Sequence, residues 1–77
     1  MNTDHLKYFV LVADSLNITN TAKELFISQQ ALSNHINNLE DRLGVKLFER
    51  NPNLSLTYAG KRVYRLVRQI LDTEEQM

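Results

Sequence analysis

The sequence predicts a mainly α-helical domain that comprises three helices, a small β-hairpin and a long final helix. Two observations predict this class. Apolar residues recur at intervals of three and four through most of the chain, and turn formers at residues 51–53 separate two short runs that follow the third periodic segment. The chain has 77 residues, of which 43% are hydrophobic and 23% charged, so it has room for one globular domain.

The first predicted helix covers about residues 3–15. Its apolar positions follow the i, i+3, i+4, i+7 spacing of one buried stripe and are Leu6, Phe9, Val10 and Ala13. Residues 17–20 then interrupt the pattern with side chains that compete for backbone hydrogen bonds. Within this segment, Thr19 is predicted to cap the second helix.

The second predicted helix is short, and its apolar positions are Ala22, Leu25 and Phe26. The turn at residues 26–28 has the length of a helix-turn-helix corner. Ser28 is a good N-cap for the third helix, which covers about residues 29–43 until Gly44 provides a left-handed stop. The apolar residues of this helix are spaced by four, three and four: Leu32, Ile36, Leu39 and Leu43.

The remaining sequence predicts a hairpin and a fourth helix. Two short runs, residues 46–50 and 54–56, flank the turn formers and are predicted to be its strands. Thr57 is predicted to cap the fourth helix, whose apolar positions again step by three and four: Ala59, Val63, Leu66, Val67, Ile70 and Leu71. This order of elements is that of a winged helix-turn-helix.

The charges are balanced overall but unevenly distributed. The formal net charge is zero, which by itself argues against a nucleic-acid binder, because phosphate neutralisation usually leaves a basic imprint on composition. Residues 42–71, however, hold seven basic residues and one acidic residue, a net charge of +6, whereas residues 1–41 and 72–77 each carry −3. A basic segment is therefore present, although a solvated helix face would give the same count.

The composition argues against several other functions. Without cysteine there is no disulfide, no thiolate nucleophile and no cysteine-based zinc site, so a cytoplasmic location is the simplest interpretation. No apolar stretch approaches the roughly 18 residues that a membrane span needs. His5 and His35 have no third ligand at a suitable spacing, and no catalytic constellation is evident. We therefore expect no enzyme activity, no metal and no cofactor, and we interpret residues 40–42 as a solvated helix end.

The most informative surface is the part of the third helix that lies off its apolar stripe. Its side chains are neutral hydrogen-bonding groups: Gln29, Gln30, Ser33, Asn34, Asn37 and Asn38. Such a surface suits the reading of base edges in DNA, because Gln and Asn amides pair bidentately with adenine and Ser donates or accepts. The residues nearest the helix N-terminus lie deepest in the major groove, so the candidates for base contact are Gln29, Gln30, Ser33 and Asn34. A solvated helix face is the alternative.

Several motifs follow one another in a defined order. They are HLKYF at residues 5–9, AKEL at 22–25, ISQQALS at 27–33, LGVKLFER at 43–50 and LTYAG at 56–60, with Ile36, Leu39 and Glu40 between them. This ordered set resembles the successive signatures of LysR-type transcriptional regulators over roughly residues 4–62, without a gap. It is far more specific than a lone helix-turn-helix pattern.

The resemblance implies a domain that binds double-stranded DNA, with the helix at about residues 28–43 in the major groove and the wing at about residues 47–56 beside the minor groove. The four candidates named above would occupy the base-reading positions. Residues that contact the DNA backbone or form the wing would be Thr19, Ser28, His35, Asn37, Asn38, Lys46, Arg50 and Asn53.

The resemblance also implies a division of the chain into a winged domain at residues 1–57 and a linker helix at residues 58–77. Such a linker helix pairs with its twin in a homodimer, here through Val63, Leu66, Val67, Ile70 and Leu71. Packing of this stripe on its own domain's core is an equally good explanation. The effector of such regulators binds a C-terminal domain, which we expect to lie beyond this sequence.

The sequence departs from the family pattern where the family commonly carries proline or basic residues. Gln30 stands in place of proline, Asn34 in place of arginine, and the positions near Asn37, Asn38 and the wing tip are uncharged. We therefore expect weak DNA binding with few ionic contacts. A helical protein-interaction module that never meets DNA is the alternative, supported by the neutral third helix and the zero net charge.

Overall fold

The structure is a computed structural model and describes residues 3–76. Its elements, in chain order, are α1 (Thr3–Ser15), α2 (Ile18–Leu25), α3 (Gln29–Leu43), β1 (Phe48–Glu49), β2 (Ser55–Leu56) and α4 (Tyr58–Gln76). The two strands pair antiparallel, with Phe48 opposite Leu56 and Glu49 opposite Ser55. The predicted fold class and the predicted order of elements are confirmed.

The core forms where α1 packs against α2, α3 and α4. Its most deeply buried apolar side chains are Phe9, Val12, Leu32, Ile36, Leu39 and Leu47. Each burial of this kind stabilises the fold by roughly 1.5–3 kcal/mol relative to an exposed side chain. The ring of Phe9 also meets the ring of Phe48 edge-on, with centroids 5.6 Å apart, so the base of the hairpin belongs to the same core.

The helix caps and stops agree with the predictions from the sequence at three positions and differ from them at one. Ser28 caps α3 and Gly44 ends it in a left-handed conformation, with φ of 73°. The Oγ1 atom of Thr57 accepts a hydrogen bond from Gly60 N at 2.9 Å at the start of α4. The prediction for Thr19 is wrong, because Asn17 is extended and its Oδ1 accepts from Asn20 N at 2.9 Å, which starts α2 earlier and places Thr19 inside the helix.

Phe26 lies in the turn predicted at residues 26–28, and not on the apolar side of the second helix, where its spacing also placed it. It adopts a left-handed conformation, with φ of 59°, and its backbone N–H bonds back into α2. This conformation ends the helix at Leu25 and turns the side chain of Phe26 away from the buried stripe. Phe26 is consequently 95% exposed.

The final helix is packed into the same core as the elements that precede it. Val67 and Leu71 are buried there, and the Tyr64 hydroxyl donates a hydrogen bond to Asp14 Oδ1 at 2.6 Å, which joins α4 to α1. Among residues 3–76, none of the helices combines the length and the apolar character that a bilayer span requires.

Candidate nucleic-acid interface

An open groove of about 560 Å³ lies between α3 and the hairpin. One wall is formed by residues of α3, and the opposite wall by residues that lead into and out of β1. Six of the predicted contact residues line it: Gln29, Gln30, Ser33, Asn37, Lys46 and Arg50. The fold therefore brings together side chains that are up to 21 positions apart in the sequence.

The polar side chains of α3 are organised by its N-terminal cap. The Oγ of Ser28 accepts a hydrogen bond from Ala31 N at 3.0 Å, so it satisfies one of the free amides of the first turn. Gln29 and Gln30 follow directly and are exposed. The exposed start of the helix is the part that reaches deepest into a major groove in helix-turn-helix proteins.

Two hydrogen bonds restrain the amides of this surface. The hydroxyl of Thr19 donates to Gln29 Oε1 at 3.0 Å, across the turn between α2 and α3. Gln30 Nε2 donates to Asn34 Oδ1 at 3.1 Å, one turn along α3. Thr19, predicted as a backbone contact, thus lies beside a predicted base-reading residue.

The positive charges of the groove stand on the hairpin side. Lys46 precedes β1 and is 77% exposed, with its Nζ 3.9 Å from Glu40 Oε1. Arg50 follows β1 directly and is also exposed. Asn53, at the hairpin turn, is exposed but does not line the groove. The two cations therefore face the neutral amides of α3 across the groove.

Glu40 is the important residue that the sequence analysis placed wrongly. Instead of lying in a solvated helix end, its side chain is 6% exposed, and its Oε2 accepts hydrogen bonds from Leu47 N at 2.7 Å and Phe48 N at 3.3 Å. The physical reason is that the chain reverses after Gly44 and brings the amides that enter β1 back to α3. A signal was present, since Glu40 lies four residues after Ile36 and so falls on the apolar stripe.

The structure directs His35 away from the groove. Its ring lies against the rings of His5 and Tyr8 on α1, with centroids 4.9 Å and 5.0 Å away. His35 does not line the groove that holds six of the other predicted contact residues. Asn34 and Asn38 are exposed on α3 outside the groove lining. Within the described part of the chain, no group of three or more His, Asp or Glu side chains is arranged to hold a metal ion.

The predicted dimerisation residues of α4 fall into two groups. Val67 and Leu71 are 4% and 7% exposed and pack in the domain's own core. Leu66 and Ile70, on the outer side, are 59% and 49% exposed, and Val63 is half-buried between the two groups. The apolar stripe of α4 therefore extends beyond the part that packs in the core of the domain.

Four helices and an antiparallel hairpin, with a tight turn between α2 and α3 and an exposed polar side on α3, define a winged helix-turn-helix domain. Over residues 3–61 the chain matches the pattern described as "Bacterial regulatory helix-turn-helix protein, lysR family". The chain belongs to the LysR family of bacterial regulatory helix-turn-helix proteins.

Two curated relatives illustrate the similarity. The uncharacterized HTH-type transcriptional regulator YoaU of Bacillus subtilis (strain 168) is 48% identical over an alignment of 79 positions, which covers 100% of this chain and 27% of YoaU. The HTH-type transcriptional regulator CatR of Pseudomonas putida is 45% identical over 64 residues, which cover 83% of this chain and 22% of CatR. The chain spans about a quarter of the length of these relatives.

Solved structures of the family superpose closely on this chain. In a crystal structure of a BenM DBD/catB site 1 DNA complex, the protein is 37% identical, with a TM-score of 0.94 and coverage of 100% of this chain and 84% of that chain. BenM is an HTH-type transcriptional regulator of Acinetobacter baylyi.

Proposed function

We propose that this chain is the sequence-specific, double-stranded DNA-binding domain of a bacterial transcriptional regulator and that it works in the cytoplasm without catalytic chemistry. The observation that carries the proposal is the groove, which is lined by six of the predicted contact residues. The solved DNA complex of a 37% identical relative supports it.

In this proposal α3 enters the major groove, whose width admits an α-helix. Gln29, Gln30, Ser33 and Asn34 read base edges there, while Ser28 and Thr19 lie near phosphates at the helix starts. Lys46 and Arg50 attract phosphates without reading sequence, because a phosphate is the same at every base pair. The exposed Asn37, Asn38 and Asn53 contribute neutral contacts at the edges of the interface.

We further infer that two copies of the chain pair through the outer side of α4. Residues 58–77 then have a linker role, and residues 1–57 provide the DNA contacts. The support is the exposure of Leu66 and Ile70 beside the half-buried Val63. Leu66→Asp should abolish pairing in sedimentation equilibrium while it leaves the helical circular dichroism unchanged. Unchanged association of this variant would contradict pairing through this side.

The experiment that tests DNA reading compares substitutions on the two walls of the groove. Gln29→Ala and Ser33→Ala should change base preference, with discrimination at the affected position falling by roughly 1–3 kcal/mol. Lys46→Ala and Arg50→Ala should weaken binding to all duplexes alike and reduce the salt slope by about 1 each. Binding to a selected duplex and to random duplexes is measured at several salt concentrations. Equal losses on all duplexes from the α3 variants would contradict direct reading.

A further inference from the structure

The amide of Gln29 is held in one orientation by a residue of another helix. Thr19 is the second residue of α2 and Gln29 the first residue of α3, and the turn brings their side chains together. The Thr19 hydroxyl donates to Gln29 Oε1 at 3.0 Å. The bond uses the carbonyl oxygen of the amide as the acceptor, and neither N–H group of Nε2 takes part in it.

The bond also affects which groups of the amide are offered to the groove. Gln29 lines the groove, whereas Thr19 does not. The bond occupies one of the two acceptor positions of Gln29 Oε1 and none of its donors, so the amide is biased toward donating to a molecule in the groove. A glutamine held in this way offers two N–H donors and a carbonyl oxygen with one lone pair already used, whereas an unrestrained glutamine rotates to offer its donors or its acceptor equally well.

We infer that Thr19 is a specificity-determining positioning residue, which makes Gln29 a reader of acceptor edges. This inference rests on the proposed function. In the major groove, guanine presents two acceptors, N7 and O6, whereas adenine presents the acceptor N7 beside the donor N6–H₂. The oriented amide therefore selects guanine at its position, in place of the adenine that an unrestrained glutamine favours.

A second amide pair provides an internal comparison. Gln30 Nε2 donates to Asn34 Oδ1 at 3.1 Å, within α3 alone and without Thr19. Because Asn34 is itself a proposed base-reading residue, removal of its side chain should change preference at its own position and at the position read by Gln30, but leave the Gln29 position unchanged. The two restraints act on neighbouring amides and are separable by substitution.

The test is selection from a library of duplexes with a randomised central segment, using the 77-residue chain and its variants. Gln29→Ala first identifies the base position that depends on Gln29. Thr19→Val keeps the shape and helix propensity of the side chain but removes the donor, Thr19→Ser restores it, and Asn34→Ala is the matched control. Thr19 is exposed, so the circular dichroism spectra of its variants should match that of the wild type.

At the Gln29 position, the wild type and Thr19→Ser should select guanine over adenine by about tenfold, and Thr19→Val should lose this preference in favour of adenine. A Thr19→Val variant that selects the same base as strongly as the wild type would overturn the inference while DNA reading stands. Absence of any selected sequence with the wild-type chain would overturn the proposed function, and this inference with it.

Discussion

The carboxylate of Glu40 sets the position of the hairpin relative to α3. It is almost fully buried, and a single oxygen, Oε2, accepts from the amides of Leu47 and Phe48, which enter β1. Buried backbone amides require a partner, and a charged acceptor forms stronger bonds than a neutral one. The groove between α3 and the hairpin therefore depends on a residue that need not touch DNA.

Glu40→Ala should lower the free energy of unfolding by about 3 kcal/mol, because two buried amides lose their acceptor. Asp41→Ala is the matched control on the adjacent, exposed carboxylate, and it should change the free energy by less than about 0.5 kcal/mol. Urea unfolding followed by circular dichroism measures both. Similar values for the two variants would show that Glu40 does not secure the hairpin.

Because of Tyr64, the stability of the folded domain depends on pH in the alkaline range. Its hydrogen bond to Asp14 raises the pKa of the Tyr64 phenol, and burial and the charge of Asp14 raise it further. The phenol must be protonated to donate, so the stabilisation is fully present below the pKa of tyrosine in the unfolded chain, about 10. It is lost as the pH rises through the higher pKa of the folded state.

Tyr64→Phe should therefore be less stable than the wild type by about 1 kcal/mol at neutral pH. The difference should vanish at a pH above the raised pKa of Tyr64, as followed by urea unfolding across the alkaline range. Tyr58→Phe is the control, because the Tyr58 side chain is 76% exposed. A stability difference for Tyr64→Phe that is the same at all pH values would contradict this role of the hydroxyl.

At the level of elements, the start of α4 is fixed to the chain that enters β1. The Thr57 hydroxyl donates to Lys46 O at 2.7 Å, and Thr57 N donates to Leu47 O at 3.0 Å. Gly60 makes this approach possible, because a Cβ at this position would lie 2.1 Å from Leu47 O. Helix and hairpin thus share one tightly packed junction.

Gly60→Ala should destabilise the domain by roughly 1–3 kcal/mol through overpacking, and the backbone amide shifts of Leu47 and Phe48 should change in NMR spectra. Gly44 is the comparison, since nothing lies within 4 Å of a Cβ there and only its φ of +73° restricts substitution. Gly44→Asn should be well tolerated, because Asn adopts this conformation. Equal effects of the two substitutions on the hairpin would contradict the close packing of Gly60 against Leu47.

The elements themselves were largely predictable, because each carries a local signal. The stripes of α1 and α3, the cap at Ser28 and the stop at Gly44 depend on residues close in sequence, although Leu43, predicted on the α3 stripe, is exposed at the end of the helix. Predictions failed where two local solutions compete. Asn17 and Thr19 both offer a capping oxygen, and the tertiary position of the helix start decides between them. Phe26 follows the apolar spacing of α2, but the left-handed turn overrides that spacing.

The candidate site was predictable in its residue types and less so in its contacts. The polar side of α3 consists of the positions that lie outside its apolar stripe, so Gln29, Gln30 and Ser33 could be predicted from the sequence. The contacts of Glu40, Thr19 and His35 are with residues of other elements, at separations that periodicity does not record. Such contacts require the three-dimensional structure.

At the scale of the whole molecule, the neutral net charge conceals the basic segment at residues 42–71. Some of the cations in this segment lie close to carboxylates. Arg68 is paired with Asp72 at 3.1 Å, and Lys46 lies 3.9 Å from Glu40. The surface of α3 that faces the groove contributes amides, a hydroxyl and the carboxylate of Glu40, but no cation. In the proposed complex, base-edge hydrogen bonds therefore carry more of the binding free energy than phosphate attraction does, and specificity should be high relative to affinity.

The most direct test is to compare the affinity of the wild-type chain for a selected operator duplex and for random duplexes over a range of salt concentrations. We predict a clear preference for the operator at low salt. We also predict a slope of log K against log salt that is much shallower than the value of about −10 known for a strongly basic repressor. No preference at low salt would contradict sequence-specific DNA binding and favour a protein-interaction module, and a steep slope would contradict recognition by few ionic contacts.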